Sequence, residues 1–310
     1  MSTVPRILCV GMATIDHVFR LTTIPQTATK VRANDYVRIS GGMAANAAVA
    51  VSRLGGQATF WGPISHDANG EDILTELIKE GVNIDGVTRV DQRSAVSAIL
   101  VDAAGERMVC GYSDPHTFDE VVALPLKQLA NFDVVHADCR WWKTVHPVLT
   151  ATKARRQPSV FDADLAPNEA LDILAPLASH AIFSQPGLTR VTHGATPAEQ
   201  LRDFSRRHPD HGLLAVTLGA EGVVWLEAGE LWQLSVPPIT SIDTLGAGDV
   251  FHGAWAYALG CGMNNAACAR FASATAALKC TRFGGRSGTP SHAEVDALLA
   301  QWDAQPQRIQ

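Results

Sequence analysis

Short apolar runs recur along the chain, each followed by a stretch in which apolar residues return every three or four positions. Ile7–Met12, Val134–Ala137, Val160–Asp162, Ala181–Ser184 and Leu213–Leu218 are too short for helices and lack the polar alternation of a strand with one wet face. They read as strands covered on both sides. Gly70–Lys79, Pro197–Arg207 and Asn264–Cys280 read as helices. Such alternation predicts an α/β fold of three layers, with a central, mostly parallel sheet between helices. Two regions break the rhythm. Segments 14–40 and 94–113 hold the strand-like Val18–Leu21, Tyr36–Ile39, Ala95–Val101 and Arg107–Gly111, with a hairpin turn at Asp102–Glu106. They predict a small second sheet, formed by two inserted segments of a single domain spanning residues 1–310.

Charge and composition narrow the function. The chain has 25 basic and 31 acidic residues, net −6, and no Lys/Arg-rich run, which argues against nucleic acid or an anionic membrane as partner. No uncharged apolar run is long enough to span a bilayer and no signal peptide is visible, so a cytoplasmic protein is expected. Six scattered cysteines without a Cys-x-x-Cys pair predict reduced, mostly buried thiols. The histidines show no metal-ligand spacing, which argues against a transition-metal enzyme, and His208 and His211 flank an expected exposed turn.

The chemistry concentrates in Ile242-Asp243-Thr244-Leu245-Gly246-Ala247-Gly248-Asp249-Val250-Phe251-His252-Gly253. A Gly-Ala-Gly turn opens an Ala-rich helix. Unpaired N–H groups at a helix start attract anions, and glycines let a phosphate approach closely. Asp249 in the same turn either caps the helix or acts as a base toward a hydroxyl attacking that phosphate. The longer pattern Asp-Thr-x-Gly-Ala-Gly-Asp-x-Phe-x-Gly resembles the C-terminal signature of the ribokinase-like (PfkB) carbohydrate kinases. That resemblance implies the ribokinase-like fold with its β lid, ATP and Mg²⁺ as cofactors, and transfer of the γ-phosphate to a primary sugar hydroxyl. Asp249 would be the base, and N–H groups of Gly246, Ala247, Gly248 and Asp249 the anion hole.

Other segments extend the resemblance. Ser40-Gly41-Gly42-Met43-Ala44-Ala45-Asn46-Ala47-Ala48 is similar to the family's Gly-Gly-x-x-x-Asn-x-Ala element, although a loop before a tightly packed helix would use the same residues. It implies that Gly41, Gly42 and Asn46 contact the sugar, with Asp16 accepting from two hydroxyls; Asp16 alone reads as a turn residue. Thr217, Gly219 and Gly222 resemble the Thr-x-Gly-x-x-Gly element near ATP. Asp243 matches a position beside a monovalent cation, such as K⁺, in many members. The family's Asn-x-x-Glu element, which organises Mg²⁺, is replaced by Ser184-Gln185-Pro186-Gly187. Asp162 and Asp164 are candidate helpers for the metal, or strand-end and capping residues. Arg140, after an expected strand, and Lys30, in the lid, would favour an acidic sugar if they converge. Several segments are similar to the kinases of 6-deoxy-6-sulfofructose, one mark being Ser-x-Pro-Gly, but Gly111 stands where those carry an Asn. The expected activity is a kinase acting on the 1-OH of an acidic ketose. The alternatives are a ribokinase- or fructokinase-type enzyme of an uncharged or phosphorylated sugar, or a non-catalytic sugar-binding regulator. A homodimer through the lid is expected.

Overall fold

A computed structural model describes residues 4–310. Its nine-stranded sheet runs in the order Gln307–Ile309, Glu230–Leu234, Val223–Glu227, Leu213–Thr217, His180–Ser184, Ser159–Ala163, Val134–Asp138, Arg6–Val10, Gln57–Trp61. Pairings from Leu213–Thr217 to Gln57–Trp61 are all parallel, and antiparallel strands extend the other edge. The doubly covered strands follow from their sequences. On Arg6–Val10, Ile7 and Cys9 join a core with helices Met43–Arg53, Ala247–Gly260 and Asn265–Cys280, while Leu8 and Val10 join the opposite core with Trp142–Ala154 and Pro197–Arg207. Each buried Val, Leu or Phe contributes roughly 1.5–3 kcal/mol of transfer free energy.

Helix ends are set by local chemistry. Thr196 and Glu199 form a capping box, with Pro197 in the first turn, at the start of Pro197–Arg207. Asn264 caps Asn265–Cys280 by accepting from the Ala267 N–H at 2.9 Å.

The small sheet has the order Asp35–Gly41, Thr14–Arg20, Val96–Val101, Arg107–Tyr112. It begins just past the carboxyl end of Arg6–Val10, so it stands over the edge where parallel strands bind ligands. Its Val18, Ile99 and Val101 pack with Leu245, and Phe283 leans on the same cluster. The turn of its second hairpin also reaches this region. Arg107 donates to the Thr244 hydroxyl at 2.7 Å, and that hydroxyl donates to the Gly105 carbonyl at 3.1 Å.

The turn between His208 and His211 is exposed as expected, at Pro209 and Asp210; the histidines themselves are half-buried, His208 Nε2 lying 3.0 Å from Asp172 and His211 Nε2 2.7 Å from the Ser205 hydroxyl. Cys9, Cys139 and Cys268 are buried as expected, but Cys110 and Cys261 are exposed. Among the described residues no helix is long and apolar enough to cross a membrane.

Candidate active site

The helix Ala247–Gly260 starts in an unusual way. Gly246, at φ 73°, is its N-cap and supplies no side chain to close the first turn. The Val250 N–H reaches back to the Gly246 carbonyl at 3.0 Å, whereas the N–H groups of Gly246, Gly248 and Asp249 have no acceptor among the described residues. Ala247 differs from the expectation. Its N–H donates to the Thr244 carbonyl at 3.2 Å and is already engaged within the turn. A Cβ on Gly248 would meet nothing within 4 Å, and its backbone is not left-handed. The protein's own packing therefore gives no reason for glycine there.

Asp249 leaves this turn toward a residue some 200 positions earlier. Asn46, on Met43–Arg53, donates to Asp249 Oδ2 at 2.7 Å. Burial raises the Asp249 pKa, and the Asn46 amide opposes that shift by hydrogen-bonding the charged form. Asp16 lies close enough to feel the charge of Asp249. Burial pushes its pKa to about 6, although the Ser97 hydroxyl donates to it from the neighbouring strand. The structure thus gathers Asp16, Asn46, Gly246 and Asp249 around one space. Gly41 and Gly42 serve their protein neighbours first. A Cβ at Gly41 would fall 1.9 Å from Asp16 Oδ2, and one at Gly42, where φ is 98°, 2.6 Å from Ala13 Cα.

Asp138, which the motifs did not flag, frames the floor. Its carboxylate accepts from the N–H groups of Met12 at 2.8 Å, Ala44 at 3.1 Å and Arg140 at 2.9 Å, so one strand end fixes the start of both the small sheet and the Asn46 helix. On the far side, Thr217 ends Leu213–Thr217 and Gly219 follows at φ 58° with nothing within 4 Å of a Cβ. Gly222, at φ 102°, is instead required by the Leu234 carbonyl, 2.0 Å from where a Cβ would lie.

Comparison with known proteins fits this geometry. The model of the "pfkB family carbohydrate kinase" matches residues 4–292. The chain belongs to the pfkB family of carbohydrate kinases. It is 29% identical to a ribokinase of Bacillus subtilis over 95% of this chain and 100% of that one. A putative ribokinase from Agrobacterium tumefaciens superposes with a TM-score of 0.92 at 38% identity, covering 97% of this chain and 99% of that one. Arabidopsis thaliana ribokinase, solved with ribose and ATP, gives a TM-score of 0.79 at 25% identity, covering 96% and 99%. The chain is therefore a phosphotransferase acting on a sugar hydroxyl.

Several residues give this family member its own character. Ser184 caps Gln185–Val191 by accepting from the Gly187 N–H at 3.1 Å, and donates to Asp164 Oδ1 at 2.7 Å. The replaced Asn-x-x-Glu segment thus orients a carboxylate that lies just past the end of the neighbouring strand, Ser159–Ala163. Asp162 turns away to the buried His252, 3.3 Å distant, near the unpartnered ring of His136. That grouping was invisible in sequence spacing because its members come from three separate elements. Arg140 is exposed and lies 3.8 Å from Asp164, so its charge is partly matched within the protein. Lys30 sits in the exposed loop after Thr14–Arg20, with no partner among the described residues and no contact to Arg140. Gly111 on the outer strand is exposed, and a Cβ there would find only the Ser97 hydroxyl at 3.7 Å.

Asp243, the candidate for a mobile cation, is wholly buried. Its carboxylate accepts from the N–H groups of Leu245 at 2.8 Å, Gly284 at 2.9 Å and Gly285 at 3.0 Å, and its carbonyl accepts from the Lys279 ammonium at 2.7 Å. Neither Lys279 nor the buried Arg286, paired with the half-buried Glu76 at 3.0 Å, could be singled out from sequence, because basic residues near helix ends are usually solvated.

Proposed function

We propose that Asp249 is the base of an ATP-dependent sugar kinase, and that the acceptor is the primary hydroxyl of a furanose of ribose or fructose size. The observation that carries this reading is Gly248: exposed, helical, and glycine for no reason internal to the protein. A phosphate oxygen against that N–H supplies the reason. Asp249 takes the proton of the attacking hydroxyl, whose oxygen bonds to the γ-phosphorus while the bond to the bridging oxygen breaks and ADP leaves. The N–H groups of Gly246, Gly248 and Asp249 face the charge that spreads over the transferring group. Asp16 and Asn46 orient the sugar.

ATP with Mg²⁺ is the donor. Hard carboxylate oxygens suit Mg²⁺, and Asp164, oriented by Ser184 at the carboxyl edge of the sheet, would hold the ion or its waters. When bound, the ion neutralises phosphate charge. Thr217 and Gly219, with open space above, suit the nucleotide, and Gly222 shapes the turn.

The uncharged sugar is favoured because Arg140 faces Asp164 and Gly111 offers no donor. Relatives named ribokinase and fructokinase agree with it. An acidic ketose such as 6-deoxy-6-sulfofructose is the second reading, resting on the unpartnered Lys30 and on Arg140. Kinetics on ribose, fructose, fructose 6-phosphate and 6-deoxy-6-sulfofructose decide between them. With an uncharged substrate, Arg140→Ala leaves KM nearly unchanged. A steep rise in KM confined to a charged sugar reverses the preference. We also propose that two chains pair through the small sheet, whose outer strand Arg107–Tyr112 is exposed along its length.

A further inference from the structure

Two loops meet at Asp243. The loop before the cradle helix supplies the Ile242 and Asp243 N–H groups, both donating to the Cys280 carbonyl, at 2.7 and 3.1 Å. The loop after helix Asn265–Cys280 supplies the Gly284 and Gly285 N–H groups to the Asp243 carboxylate. At this junction lies the ammonium of Lys279, with no exposed surface, 2.7 Å from the Asp243 carbonyl and 3.5 Å from its Oδ2. A point cation touching a carbonyl and a carboxylate oxygen of one loop does what a bound alkali ion would do there. An added ion would face a like charge and lose the carbonyl Lys279 already occupies. The residues therefore do not fit the mobile K⁺ expected from sequence.

We propose that the Lys279 ammonium is a built-in monovalent cation that holds the cradle loop in its working shape, so that phosphoryl transfer needs no potassium. This rests on reading Gly246–Asp249 as the phosphoryl cradle. Lys279 is a positioning residue, three positions of chain separating its contact at Asp243 from the start of the cradle. Its charge reaches the site, because it and Arg107 both favour the ionised form of Asp249. The side chain comes from the last turn of its helix, where the helix dipole also favours a cation. A covalently attached cation never dissociates, so the loop stays ordered whatever the salt.

The test compares wild type with Lys279→Met in potassium chloride, sodium chloride and tetramethylammonium chloride at equal ionic strength, reading both sugar phosphorylation and melting temperature. Wild type is expected to be indifferent to the cation in both. Lys279→Met is expected to lose about 10²-fold in kcat without potassium, as a misplaced cradle would, and to recover with it. Its melting temperature should rise selectively with potassium by mass action. A purely structural lysine would give a destabilised variant that no cation rescues, and that result overturns the proposal. So does selective activation or stabilisation of the wild type by potassium. The melting curves read cation binding even if no tested sugar is phosphorylated, an outcome that counts against the kinase reading instead. If Lys279→Met does not fold, the wild-type comparison decides alone.

Discussion

Asp249 is pulled in two directions. Burial raises its pKa, and the Asn46 amide lowers it. A base works only when ionised, so activity is lost as pH falls through the raised value, earlier than for an ordinary carboxylate. Asp16, pushed to about 6, feels the charge of Asp249, so the acid limb of kcat/KM belongs to the pair. Asn46→Ala removes the donor that favours the charged form. The acid limb should move to higher pH in that variant, with a higher KM for the sugar. A pH profile with an unmoved limb would show that Asn46 acts on the sugar alone.

At the scale of elements, two glycines of similar appearance have different reasons. A Cβ at Gly41 strikes the Asp16 carboxylate, and overpacking of this kind costs about 1–3 kcal/mol. A Cβ at Gly248 strikes nothing, and Ala is the better helix former by roughly 0.5–1 kcal/mol. Gly41→Ala should therefore melt at a lower temperature than wild type. Gly248→Ala should melt at the same temperature or higher, yet lose turnover because its methyl lies where the phosphate must come. Loss of stability in Gly248→Ala would remove the argument that a ligand explains this residue.

The same scale shows what the sequence could and could not tell. Doubly covered strands such as Val134–Asp138 were readable because burial on both faces leaves an unbroken apolar run, and helix Pro197–Arg207 because its cap is local. The strand Gln57–Trp61 and the helix Trp142–Ala154, which contains Pro147, carry no such signal and are fixed by neighbours. The Gly-Ala-Gly turn before Asp249 was legible as a motif. The commitment of the Ala247 N–H to Thr244 was not, since it depends on where one carbonyl points. Lys279, Asp138 and the His136–Asp162–His252 group act through partners distant in sequence, and residue type alone says nothing of them.

At the scale of the molecule, the small sheet is fastened to the loop that leads into the helix of Asp249. It carries Asp16 on one strand, and its hairpin turn is fastened by Arg107 and Gly105 to Thr244, just before the cradle. If Asp16 holds the sugar as proposed, closure over it and order in the loop before Asp249 are mechanically joined, which would exclude water from a reaction that otherwise hydrolyses ATP. The exposed Tyr36, Met108, Val109 and Tyr112 line the sheet's outer strands. Sedimentation at micromolar protein should show a dimer, and replacing Val109 by Lys should give a monomer. A wild-type monomer would rule out pairing through this sheet.

The most direct measurement follows sugar phosphate formation from MgATP by phosphorus NMR, with wild type and Asp249→Asn side by side. Wild type should convert at least one small furanose to a product phosphorylated on a primary hydroxyl. The Asn variant, folded and still binding that sugar, should turn over about 10²–10⁴-fold more slowly, the usual contribution of a general base. Near-normal turnover in the folded variant would contradict the assignment of Asp249 as the base.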